Sequence, residues 1–186
     1  MKRLVTIFIS AVFVAYPVLI YYGLTTFSPA AVGIFILAML GVRMAVVMKL
    51  SFHRLKPLLP LTLAAALPSV CSLLFNSERA LLFTPVLVNA ALLGSFGWTL
   101  FRGPSMVARF AALKEPVMTN AILTYCKKVT VVWCGFFVVN GSIATYTALY
   151  TSKEYWTLYN GLISYILMGL LFGVEFVVRK TVKQKG

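Results

Sequence analysis

Apolar residues run in long blocks along this chain, separated by short polar stretches. Residues 4–24, 29–48, 57–74, 80–100, 129–149 and 156–178 are dominated by Leu, Ile, Val, Phe and Ala. A helix needs about 20 apolar residues to cross a hydrocarbon core about 30 Å thick. The pattern therefore predicts an all-α fold, a polytopic membrane helical bundle of six transmembrane helices in one integral membrane domain over residues 1–186. The first block follows Lys2 and Arg3 as a signal peptide would. It continues to Leu24 without a clear small-residue cleavage site, so it reads as a retained first helix. The third block is the weakest, with Pro57, Pro60 and Pro68, and a kink near Pro68 is expected. Neighbouring helices in a bundle can satisfy the carbonyls that proline frees.

Only the gap at residues 102–128 is long. Its first part places Met106, Val107, Phe110 and Leu113 on one helical face, with Ser105, Arg109 and Ala112 on the other. After Glu115 and Pro116 the pattern repeats, with Val117, Met118, Ala121, Ile122 and Tyr125 opposite Thr119, Asn120, Thr124 and Lys127. Two interfacial amphipathic helices between spans 4 and 5 are expected, lying along the inner membrane surface.

Charge orients the bundle. Of 17 lysines and arginines, only Arg79 and Lys153 fall outside one alternate set of gaps, and each sits beside a glutamate, Glu78 or Glu154. Short loops rich in Lys and Arg are retained in the cytoplasm, so both termini are expected inside, an N-in/C-in arrangement. The net charge of +13 then meets anionic lipid headgroups rather than nucleic acid. With 61% hydrophobic and 11% charged residues and a mean hydropathy of +0.93, the chain lacks the polar surface of a soluble domain.

The same composition narrows the chemistry. Asp is absent and Glu occurs four times, which leaves no carboxylate cage for a metal and no paired-acid hydrolase site. His53 is the single histidine and has no acid nearby in sequence to orient it. Cys71, Cys126 and Cys134 show no metal-ligand or redox spacing. No catalytic residue, metal site or cofactor is assigned, and the balance leans away from an enzyme.

Ionisable and amide side chains inside the spans are the remaining candidates. Arg43 lies near the inner end of the second span, where it can snorkel to headgroups or hold a phosphate or carboxylate with its planar fork. With Arg109, Lys114, Lys127 and Lys128 it forms the candidate set for lipid or anion binding. Glu175 precedes Arg179 by four residues, the spacing of a favourable helical ion pair, and the alternative is a proton carrier or a counter-ion to Arg43 across the bundle. Asn89, Asn140 and Asn160 fall inside the last three spans, where they serve either hydrogen bonding between helices or a polar cavity. Gly169 and Gly173 form a GxxxG pattern, and Ala90 with Gly94 a second small pair. Internal packing is the common use of such pairs, and a homodimer face the other.

The stretch from Gly103 to Phe110 (GPSMVARF), the run YCKKVTVVW from Tyr125 to Trp133, and the segment from Trp156 to Arg179 ending in GVEFVVR carry a resemblance. They resemble a family of bacterial inner-membrane proteins associated with aryl-polyene biosynthesis clusters. The C-terminal layout is also distantly similar to the intracellular septation protein A family, through Ala108-Arg109-Phe110, the entry from Lys128 to Trp133, Trp156 and Asn160. It departs from that family after the last turn, where this chain reads WTLYNG. The resemblance implies a multi-pass inner-membrane protein that assists synthesis, transfer or transport of a lipid-linked polyene, and no particular reaction. The alternative is a non-enzymatic scaffold whose basic face recruits an acidic acyl carrier protein or biosynthetic enzymes. A membrane-embedded transferase is disfavoured by the scarcity of acid–base groups.

Overall fold

The computed structural model describes residues 16–50, 59–113 and 118–184, and the regular structure among them is helical. The readings that rest on Lys2, Arg3, His53, Lys114, the start of the first span and the Glu115–Pro116 break lie outside the described residues.

Residues 16–26 form α1, and a turn at Phe27 and Ser28 leads into α2 (Pro29–Leu50). Pro29 opens α2, where its missing N–H would have been unsatisfied anyway. The next helix, α3 (Leu59–Phe75), continues through the buried Pro68. Two segments follow, α4 (Glu78–Leu82) and α5 (Thr84–Phe101), interrupted at Phe83. Pro85 accounts for the interruption, since it lacks an N–H and restricts the backbone of Thr84 before it. A short α6 (Met106–Ala111) precedes the long α7 (Asn120–Tyr150). The chain ends with α8 (Lys153–Leu158), a π-helical turn (Tyr159–Ile163) and α9 (Ser164–Gln184).

Three of these stretches are long and apolar enough to cross a membrane: Glu78–Phe101, Asn120–Tyr150 and Lys153–Arg179. Pro29–Ala45 and Leu59–Phe75 are apolar but shorter. Large apolar side chains, among them Leu74, Phe75, Phe101 and Val177, point outward. A surface of that kind is unstable in water and ordinary in lipid. Among its described residues the chain is all-helical, with the helix lengths and composition of a membrane protein.

The amphipathic connector departs from its expected form. Of the two interfacial helices foreseen, only α6 is a separate helix among the described residues. The second is continuous with the span that follows, because α7 runs unbroken for 31 residues. No Pro or Gly lies between Asn120 and Trp133 to stop it, and Lys127 and Lys128 are good helix formers. At 1.5 Å per residue α7 is about 46 Å long, so its first turns extend beyond a hydrocarbon core of about 30 Å.

Helix α2 packs on α3, and α5 packs on both α3 and α7. The α2–α3 contact is set by small residues. A Cβ added to Gly33 would lie 2.8 Å from the Ser69 carbonyl oxygen, so only glycine permits this approach. Ser72 donates from Oγ to the Pro29 carbonyl at 2.8 Å across the same seam.

The turns sort to two ends. At one end, the Ala30 N–H donates to Asn76 Oδ1 at 3.1 Å. Lys153 Nζ lies 3.1 Å from Glu78 Oε1, and the Tyr21 hydroxyl donates to Glu154 at 3.4 Å. Beneath these contacts Ile20, Val32, Leu81, Leu82, Ala148 and Trp156 form a buried cluster. Trp156 is 1% exposed and donates from Nε1 to the Leu82 carbonyl at 3.0 Å, satisfying an acceptor in the last turn of α4 that the helix leaves open. Nearer the opposite end, Phe96, Trp133, Phe136, Phe137 and Phe172 pack ring on ring. There the α5–α6 corner meets the first turns of α7.

Candidate functional site

The α5–α6 corner carries Arg109 and Lys127, two of the four described cations that the sequence singled out. Gly103 turns the chain with φ +81°, a conformation that suits a residue without a Cβ. The first amides of α6 then need acceptors. Three hydroxyls from three places supply them. Met106 N donates to Thr99 Oγ1 at 2.8 Å, Val107 N to Thr130 Oγ1 at 3.3 Å and Ala108 N to Ser105 Oγ at 3.4 Å. Thr99 and Thr130 pass their own protons to the Phe96 and Cys126 carbonyls, both within 2.8 Å. Arg109 closes the corner by donating from Nε to the Pro104 carbonyl at 3.0 Å. The corner is thereby rigid, and the amides of α6 are occupied.

Two cavities flank this corner and meet at Thr99. The first, about 450 Å³, includes Thr99, Leu100, Ser105, Leu123, Thr124 and Lys127 in its walls. The second, about 510 Å³, is a groove between α3, α5 and α6 lined mainly by apolar atoms of Pro60, Ala91, Gly94, Trp98 and Met106, with Arg109 on its wall. Arg102 stacks over the Trp98 ring at 4.9 Å. Sequence reasoning did not single out Trp98 and Arg102. Their spacing of four, at the end of an apolar block, was the available signal.

The anion-binding candidates are thus divided. Arg109 lines the groove and Lys127 the neighbouring cavity. Lys128 is exposed and lines neither, and Arg43 is partly buried on α2. Glu175 lies 3.7 Å from Arg179, and the Tyr125 hydroxyl donates to the Glu175 carbonyl at 3.3 Å.

The three asparagines lie in the interior. Asn140 donates from Nδ2 to Asn89 Oδ1 at 3.1 Å and accepts from the Tyr159 hydroxyl at 3.0 Å. Asn89 donates onward to the Pro85 carbonyl at 2.8 Å. Gly141 allows α5 and α7 to approach here, since a Cβ on it would come 3.2 Å from Asn89. Asn160, in the π-turn, donates to Thr147 Oγ1 and to the Trp156 carbonyl. Its Oδ1 and the Thr157 hydroxyl are buried without a protein partner. This layer holds α5, α7 and the last helix together, and contains no carboxylate, histidine or thiol. Among the described residues no group of His, Cys, Asp and Glu could hold a metal ion.

No protein-family model, curated protein or solved structure matches this chain.

Proposed function

We propose that this chain is a six-span, N-in/C-in protein of the bacterial inner membrane that assists the synthesis, transfer or transport of an anionic, lipid-linked product. The resemblance in sequence suggests a product of aryl-polyene type. The work is done at the basic end, by binding and orienting rather than by chemistry of the chain's own side chains.

One observation carries this reading. Each described carboxylate is engaged with a partner of its own: Glu78 holds Lys153, Glu154 accepts from Tyr21, and Glu175 pairs with Arg179. The corner presents Arg102, Arg109 and Lys127 beside two cavities, where an anion with an apolar tail would satisfy both charge and surface. The six-span orientation draws support from the pairing of the weakly charged turns at one end, while the basic stretch lies at the other. A flat scaffold surface for an acidic carrier protein needs no such cavities.

Deleting the gene and analysing lipids in separated inner and outer membranes tests the reading. Accumulation of a lipid-linked intermediate in the inner membrane is expected. Loss of product without accumulation would favour the scaffold, and unchanged lipids in both membranes would contradict both.

A further inference from the structure

We infer that the groove between α3, α5 and α6 is a binding site for a phosphate-headed membrane lipid. Its hydrocarbon chain lies along Ala91, Gly94 and Trp98, and its phosphate meets Arg109. The inference rests on the proposed function and names the place where it acts.

The groove is shaped by its sequence. Ala91, Gly94, Ser95 and Trp98 recur at three- and four-residue spacings, so they share one face of α5. Ser95 donates its hydroxyl to the Ala91 carbonyl at 2.7 Å, turning its polar atom back onto the helix. Gly94 leaves the floor open, since an added Cβ would meet nothing within 4 Å. The Trp98 ring stands 61% exposed as a flat apolar wall. The groove, about 510 Å³, is open on its outer side, so a lipid chain can lie along it without a closed pocket.

The charge at the groove makes the occupant anionic. Nε of Arg109 is committed to the Pro104 carbonyl, which fixes the plane of the guanidinium. Its two Nη groups make no bond among the described residues, which leaves the paired donors that suit a phosphate. Arg102 stands over Trp98 on the same side of the corner. No described carboxylate reaches either arginine, because each is engaged elsewhere. A free phosphate would leave the apolar floor unused, and a neutral lipid would leave the guanidinium unused. A lipid phosphate uses both.

The test is native mass spectrometry of the full-length protein released from detergent, titrated with phosphatidylglycerol, with diacylglycerol of the same chains, and with inorganic phosphate. One phosphatidylglycerol should be retained in preference to diacylglycerol, and inorganic phosphate should not compete. Arg109→Gln should weaken phosphatidylglycerol roughly tenfold, the scale of a lost charge-assisted hydrogen bond, and remove the preference. Gly94→Leu should weaken both lipids alike without touching a charge, and it decides the matter should Arg109→Gln fail to fold. Equal retention of the two lipids by the unaltered protein, competition by inorganic phosphate, or wild-type binding by both variants would overturn the inference. Lipid binding here with unchanged lipids in the deletion strain would sink the proposed function and leave the site standing. A misplaced lipid in that strain with wild-type binding by both variants would do the reverse.

Discussion

Lys153 and Glu78 face each other across 3.1 Å, joining two turns that are 75 residues apart in the chain. Each has an opposite charge beside it in sequence, Glu154 for Lys153 and Arg79 for Glu78, yet the ion pair forms between turns. Both side chains are about a third exposed, so the pair is worth at most about 1 kcal/mol. Glu78→Lys should lower thermal stability in detergent slightly, and adding Lys153→Glu should restore it. The restoration should shrink at high salt, and a double-mutant cycle by thermal unfolding measures it.

Gly33 should tolerate no side chain. Gly33→Ala would drive a methyl group to 2.8 Å from the Ser69 carbonyl, forcing α2 and α3 apart at a cost of about 1–3 kcal/mol. Gly169→Ala has open space around it and should cost less than about 1 kcal/mol, or stabilise through better helix propensity. Comparing the unfolding midpoints of the two variants checks the packing directly.

Trp156→Phe should destabilise the turn end of the bundle. Phenylalanine keeps most of the buried area but leaves the Leu82 carbonyl without its donor at 3.0 Å. An unsatisfied buried acceptor costs about 1–3 kcal/mol. The loss should appear as faster amide exchange in α4 and α8, with the α5–α6 corner unaffected.

The interior amides separate two kinds of polar residue. Asn140→Leu breaks bonds to both Asn89 and Tyr159, and at roughly 0.6 kcal/mol for a hydrogen bond inside a membrane it should cost about 1 kcal/mol or somewhat more. Thr157→Val removes a hydroxyl with no protein partner and should be neutral or stabilising. Destabilisation by Thr157→Val as large as that by Asn140→Leu would show that its hydroxyl is bonded.

The helical, lipid-facing character of this chain was legible because apolar blocks of span length leave little other choice. Finer boundaries followed local chemistry. The break at Phe83 was not foreseen within the block at residues 80–100, although Pro85 carries a signal for it, and the fusion of the second amphipathic helix into α7 was obscured by Lys127 and Lys128. Their charge marks an interface without interrupting a helix. The π-turn at Tyr159–Ile163 has no comparable sequence signal.

At the candidate site, Arg109 and Lys127 were readable as cations on an amphipathic stretch. The hydroxyls of Thr99 and Thr130 were not, because their role is to receive α6 amides from 7 and 23 residues away. The pairing of Asn89 with Asn140 likewise depends on which helices are neighbours, and periodicity within one helix does not carry that information.

Everything proposed for the basic end depends on the side of the membrane it faces, and thiol labelling in intact cells measures that side directly. In a full-length chain with its three cysteines replaced by alanine, Ser152→Cys should react with a membrane-impermeant maleimide added outside. Pro104→Cys should react only after the membrane is opened. Labelling of Pro104→Cys in intact cells, or protection of Ser152→Cys there, would contradict the orientation and the function drawn from it.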